Sequence, residues 1–317
     1  MEQTSKSARK PRLVPAFSPA ELVLLTKTDN WHNFLYIAAD WGSIVAVAFV
    51  SIATQLNPFV VVVACIWIGS RQRALLNLFH EGSHRKLFSS RRLNDFVTRF
   101  ALGYPLLLSL PNYRSQHKRH HAFLWDSERD PDAVVYASMR WCEGAPGRRQ
   151  VWFRILFQPI FVFLPLNLRD SMRPEKKMYG DYAVLLGFWV VVFVVFALIN
   201  QVVLVLLFWT VPFCTALTYI WYLSFIGEHA GLRSLDPYQS TRGWWSSAPI
   251  RWLLSPHRDD LFHIVHHLYP GIPHYRLGPA HELLYERIAE YRTGHHCLGF
   301  FWSRDGAQSV IDDLVAA

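Results

Sequence analysis

Lysine and arginine are missing from two long stretches of this chain. All 32 of them lie within residues 6–27, 71–177 or 233–304, and none falls in 28–70 or 178–232. The two gaps hold the longest apolar runs. Residues 34–53 and 57–78 predict one pair of membrane-spanning helices, and 182–200 and 202–225 predict a second pair. Each approaches or exceeds the roughly 20 residues that cross a bilayer as a helix. The links, Thr54–Asn57 and Asn200–Gln201, are so short that each pair reads as a tight hairpin with its turn on the far side. The basic segments then face the cytoplasm by the positive-inside rule.

Cysteine is scarce as well. The four cysteines, Cys65, Cys142, Cys214 and Cys297, form no CxxC, which excludes a zinc knuckle or a disulfide framework. The first thirty residues are polar and basic without an apolar core, so no cleavable signal peptide is expected. No internal repeat or interdomain linker is visible. The net charge of +8 comes without a base-stacking motif or nucleic-acid module. Topology and anionic headgroups account for it, nucleic acid is not an expected partner, and a basic face could also dock an acidic electron-transfer protein. Residues 1–17 read as a basic tail. Ser18-Pro19-Ala20-Glu21 has the form of a capped helix start, opening a short interfacial helix.

What the chain does have is histidine in four tight groups, each beside an apolar stretch. They are His80 and His84 in HEGSH, His117, His120 and His121 in HKRHH, His229 in GEHAGL, and His263, His266 and His267 in HIVHH. Residues three and four apart share a helix face, so each box is expected to fan its imidazoles in one direction. Imidazole is the commonest metal ligand and suits iron, zinc, copper and nickel. Nine imidazoles are too many for one ion and enough for two. Iron suits such a nitrogen-rich, redox-active centre, whereas zinc does not change oxidation state. A pair of ferrous ions could reduce O2 to an oxidant for an unactivated C–H bond. An apolar, membrane-dissolved substrate would explain a site at a bilayer boundary.

The same histidines constrain topology. If all groups meet in one site, an even number of crossings separates each from the next. Residues 100–113 and 151–168 are therefore expected to be interfacial or re-entrant helices rather than lone crossings. HEGSH also fits HExxH, in which Glu81 would be the general base of a membrane zinc metalloprotease. In the two-metal reading Glu81, Glu228, Asp259 and Asp260 are instead candidates to orient ligand imidazoles. His32, His257, His274, His281, His295 and His296 are not expected as ligands. Asp40 lies inside the first apolar span, where an acid is costly and often functional. PAHELLYERIAEYR (279–292) has Leu284, Ile288 and Tyr291 at helical spacing, as in a helix packed on a cytoplasmic domain.

HEGSH, HKRHH and HIVHH, in that order, resemble the three histidine boxes of the membrane fatty acid desaturase and alkane hydroxylase superfamily. His229 is similar to that family's additional histidine at the end of the last span. HHLYPGIPHYRL (266–277) resembles the region after the last box in acyl desaturases, and GEHAGL the matching element of alkane hydroxylases. The resemblance implies an all-α integral membrane protein of four transmembrane helices, with interfacial helices and a cytosolic helical cap holding a di-iron site. The implied arrangement is an N-terminal segment (1–30), a membrane domain (31–285) and a cytosolic C-terminal tail (286–317), in a bacterial inner membrane or endoplasmic reticulum. The implied ligands are His80, His84, His117, His120, His121, His229, His263, His266 and His267. O2 and a separate electron donor of ferredoxin, rubredoxin or cytochrome b5 type with its reductase are implied too. The leading expectation is a fatty acyl desaturase. Hydroxylation, oxidative decarboxylation to a terminal alkene, and carotenoid ketolation or hydroxylation are left open. Stearoyl-CoA-type desaturases have an Asn four residues before the extra histidine. Phe225 stands there in this chain.

Overall fold

The computed structural model describes residues 15–171, 176–234, 236–257 and 260–316. Residues 1–14 of the expected basic tail lie outside them. Five helices among the described residues are long and apolar enough to cross a membrane: His32–Ala53, Pro58–Ser83, Arg148–Ser171, Lys176–Leu198 and Val202–His229. The expected spans coincide with parts of four of these to within two residues at their turn ends, and the turns fall where the sequence placed them. Gln55 and Leu56 take the left-handed conformation, at φ 55° and 57°. Asn57 then caps the next helix, its Oδ1 accepting from the N–H of Phe59 at 3.0 Å, and Pro58 occupies the first helical position. Asn200, at φ 54°, turns the second hairpin.

Side-chain exposure shows why water is the wrong solvent for this fold. The most apolar window of Lys176–Leu198 is only 6% buried within the protein. Leu186, Val190, Val191, Val194 and Leu198 all point outward. A contiguous apolar face of this size needs lipid. The chain is thus a mostly helical integral membrane protein. Pro58–Ser83 is the central helix, buried continuously from Ile68 to Ser83. It meets Val202–His229 so closely that a Cβ on Gly69 would overlap Ala216, the small-residue contact by which helices approach in lipid. Val202–His229 contains Pro212 and is wound as π-helix on both sides of it, at Leu206–Thr210 and Phe213–Leu217. A missing N–H explains such a local unwinding.

The structure refines several expectations. Residues 100–113, expected as an interfacial or re-entrant helix, do not form one continuous helix. A π-turn (Thr98–Gly103) and a 3-10 turn (Tyr104–Leu106) run into left-handed Leu107, and a new helix starts at Leu110. The break packs inward, burying Leu102, Tyr104, Leu106 and Leu110. Residues 151–168 belong to a longer helix, Arg148–Ser171, with a π-turn at Pro159–Phe163. Finally, not everything outside the spans is helical. A short parallel ladder joins β1 (Arg242–Trp245) to β2 (His295–Leu298). It ties residues 286–317 to the segment after His229, and buried Arg242 reaches Asp313 at 2.5 Å from its Nε. The helix over 279–292 is also interrupted. Leu277–Arg287 ends before Ile288, which is extended, although Leu284, Ile288 and Tyr291 are all buried as expected. The Ser18 capping box is present, with the Ser18 N–H donating to Glu21 Oε2 at 2.9 Å.

Candidate metal centre

Helical geometry divides the histidine boxes between two positions. In a helix, residues four apart lie about 40° apart around the axis and neighbours about 100° apart. His80 and His84 therefore point together, as do His117 and His121, while His120 turns away. HIVHH repeats the division, with His263 and His267 together and His266 apart. HEGSH fans one way, but HKRHH and HIVHH do not, contrary to the simplest reading of their spacing. HKRHH and HIVHH each send a pair to one position and a single ring to the other.

The rings meet through their Nε2 atoms. In the first set, His117 Nε2 lies 2.7 Å from that of His80, 2.9 Å from that of His84 and 2.9 Å from that of His121. His266 Nε2 joins at 3.1 Å from that of His121. All five ligand atoms lie within 4.8 Å of one another. In the second set, His229 Nε2 is 3.2 Å from that of His120 and 3.0 Å from that of His263, and His267 Nε2 is 3.1 Å from that of His263. The two sets together contain all nine expected ligands. Glu228 approaches the second set, with Oε2 3.7 Å from His263 Nε2, and forms a possible metal-holding group with His229 and His263.

Such clusters suit a cation and little else. One Nε2 proton can serve one partner, so rings converging on a point leave lone pairs facing each other. Two nitrogens at about 2.1 Å from an ion and about 90° apart would be separated by about 3.0 Å, from typical metal–imidazole bond lengths. The observed separations of 2.7 to 3.3 Å match that chord. Burial, followed by neighbouring imidazoles, holds His117, His121, His263, His266 and His267 well below the usual histidine pKa. They are neutral, the form that binds a metal.

Two rings are oriented from behind by groups the sequence reading missed. His120 Nδ1 lies 3.0 Å from Asp130 Oδ1. Asp130 is buried, and its carboxylate also accepts the N–H groups of Trp125 and Asp132, at 2.9 and 3.0 Å. His229 Nδ1 donates to the carbonyl of Ser240 at 3.1 Å. Asp130, just before Pro131, caps the helix Pro131–Ser138. Nothing in that pattern signals its second duty. The carbonyl of Ser240 leaves no trace in a side-chain pattern at all.

The candidates to orient ligands fare unevenly. Glu81 belongs to neither imidazole set; its Oε2 accepts the backbone N–H of His274 at 3.1 Å and so anchors the loop after the last box. Asp259, and the side chain of Asp260, lie outside the described residues. His274 is taken up by His257 O and Asn33 Oδ1, both at 2.8 Å from its ring nitrogens, as a structural ring should be. Asp40 is buried, with Oδ2 2.7 Å from His257 Nε2 and Oδ1 3.3 Å from Arg71 Nη1. It binds two helices and the loop above them. Gly82, an oddity in a helical HExxH, faces Thr98 so closely that a Cβ would overlap its side chain. A protease centre would need His80, His84 and one more ligand. Here those two share their centre with three further imidazoles. Phe225 stacks on Tyr136, with ring centroids 4.1 Å apart.

A family model for fatty acid desaturases matches residues 57–299. The chain is 27% identical to a dihydrorhizobitoxine desaturase of Bradyrhizobium elkanii, over 81% of this chain and 76% of that protein. It is 22% identical to a chloroplastic omega-6 fatty acid desaturase of Spinacia oleracea, over 86% of this chain and 63% of that one. It is 24% identical to an sn-1 oleoyl-lipid 12-desaturase of Synechocystis, over 70% of this chain and 67% of that protein.

Proposed function

The chain belongs to the fatty acid desaturase family, and on that premise we propose that it is an O2-dependent, di-iron membrane desaturase. Membership makes it an oxidoreductase. The observation that carries the finer reading is the division of nine imidazoles into sets of five and four with Nε2 atoms about one ligand chord apart. The nitrogen-rich donor set fits iron, which would supply O2 activation when bound. The reaction removes one hydrogen from each of two adjacent carbons. Those two hydrogens, with O2, two electrons from an external donor and two protons, become two waters.

The chain's own residues do the rest. Nine rings supply the ligands, and burial holds those of His117, His121, His263, His266 and His267 neutral. Asp130 and the Ser240 carbonyl hold the Nδ1–H of His120 and His229, fixing tautomer and ring orientation. The surrounding helices position a saturated carbon pair against the centre, a proximity effect. By their names, the relatives desaturate fatty acyl chains or dihydrorhizobitoxine. A saturated carbon pair is common to the proposed reaction, whichever molecule carries it.

A four-crossing topology with the centre and both termini on one side is supported by parity, and the basic segments on that side favour the cytosol. His120 and His229 lie side by side, so the helices between them make an even number of crossings. Lys176–Leu198 and Val202–His229 supply two. Arg148–Ser171 therefore runs along the interface; its Arg148 pairs with Asp312 of the C-terminal helix and its Leu156 carbonyl accepts from Tyr219. Co-expression with a ferredoxin or cytochrome b5 system and its reductase tests the reading. Mass spectrometry should find a product two mass units below its precursor. A gain of 16 would make the enzyme a hydroxylase, and no reductant-dependent O2 uptake would refute the oxidase.

A further inference from the structure

His229 is the last residue of its helix, where the backbone carbonyls have no following turn to bond them. Arg242 takes that place. Its Nη1 donates to the carbonyls of Ile226 and Gly227, at 3.4 and 3.3 Å, and its Nη2 to that of Ala230 at 2.9 Å. A cation bonded to the last carbonyls of a helix also answers the negative end of its dipole. Two residues before Arg242, the Ser240 carbonyl accepts from His229 Nδ1. One short segment thus grips this ligand twice, by its ring and by the end of the helix that carries it.

That segment is itself held from the far end of the chain. Between Ala230 and Thr241 the described residues form neither helix nor strand. The β1–β2 ladder sets Arg242 against His295, and the Trp245 carbonyl accepts the N–H of Gly299. Phe300 lies edge-on to Trp244, with 5.2 Å between ring centroids, and so near Gly227 that a Cβ there would sit 3.0 Å from its ring. Arg242 is 0% exposed, and a guanidinium taken out of water needs a counter-charge. Asp313, on the C-terminal helix Val310–Ala316, supplies it. Its Oδ2 accepts from Arg242 Nε, and its Oδ1 lies 3.0 Å from His295 Nδ1.

We propose that Arg242 and Asp313 are positioning residues for His229, so that the C-terminal helix sets the geometry of the second imidazole set and leaves the first alone. The assignment rests on the two-metal reading and deepens it. Rings of the first set come from Pro58–Ser83 with its cap His84, from Leu110–Phe123 and from His263–Leu268. None rides on the helix end that Arg242 holds.

The test is a chelator titration of the iron-loaded full chain, following the release of each iron. Asp313→Asn keeps an oxygen for Arg242 but removes the charge. One iron should then leave at an about 10- to 100-fold lower chelator concentration than in the wild type, the loss typical when support behind a ligand is removed. The other should leave at an unchanged concentration. Arg242→Lys keeps the charge but not the planar fork that reaches several carbonyls, and should act in the same way. Asp312→Asn is the control. Asp312 neighbours Asp313 on the C-terminal helix but bonds to Arg148, Ser303 and Ser309 rather than to Arg242, so both irons should stay as in the wild type. If Asp312→Asn frees the same iron as Asp313→Asn, general docking of the helix supports His229 and the proposal falls. It falls too if both irons shift together, as loosening of the whole fold would make them, or if neither shifts in folded Asp313→Asn and Arg242→Lys protein. A wild type that takes up fewer than two irons removes the two-metal reading and this proposal with it.

Discussion

Replacing Asp130 by Asn tests whether the two imidazole sets are separate metal positions. The Asp130 carboxylate receives three donors: His120 Nδ1, the Trp125 N–H and the Asp132 N–H. Asn offers one acceptor oxygen and an NH2 group in place of the second. At least one buried donor must then face another donor. The helix start survives, because Asn caps helices as well as Asp. What is lost is the negative charge behind His120, which raises that ring's basicity as a ligand. Changes of this kind cost about 10- to 100-fold in metal affinity, or about 1.4 to 2.7 kcal/mol. His120 belongs only to the set with His229, His263 and His267. In a chelator titration of the iron-loaded protein, one iron should therefore leave at a 10- to 100-fold lower chelator concentration than in the wild type. The other should leave at an unchanged concentration. If both irons shift together, or neither does, the division into two sets is wrong.

Asp40→Leu should destabilise the protein by about 3–5 kcal/mol, because it leaves Arg71 buried without its carboxylate; a denaturation curve in detergent that barely moves would contradict this. Gly69→Val should cost about 1–3 kcal/mol through overlap with Ala216, and a thermal melt matching the wild type would show that the helices are not in such close contact. In metal-depleted protein, acid should be destabilising. His117, His121, His263, His266 and His267, whose pKa is depressed, stay neutral in the fold but protonate in the unfolded chain below its value near 6.5. Stability is fully present above that pH and falls by up to about 1.4 kcal/mol per pH unit per ring below it. Melting curves between pH 7.5 and 5.5 that coincide would refute the burial of those rings.

Sequence alone carried the spans, because a bilayer enforces length and excludes charge in a way any reader can see in residues 28–70 and 178–232. It also gave the nine converging histidines. It did not give their allocation. That needs the angular arithmetic of the helix, which sends His120 away from His121 and His266 away from His267. The break at Leu107 was invisible because a left-handed leucine has no sequence signature, and here tertiary packing of Leu102, Tyr104 and Leu106 enforces it. The β1–β2 ladder joins segments fifty residues apart, Arg242↔His295 at its start, and neither strand is long enough to announce itself by alternation. Glu81 was read from a motif and turned out to hold a backbone amide.

Diffraction data collected at the iron absorption edge would test the central claim most directly. Two anomalous peaks should appear, one among His80, His84, His117, His121 and His266, the other among His120, His229, His263 and His267. A single peak, or a signal at the zinc edge in place of iron, would contradict it.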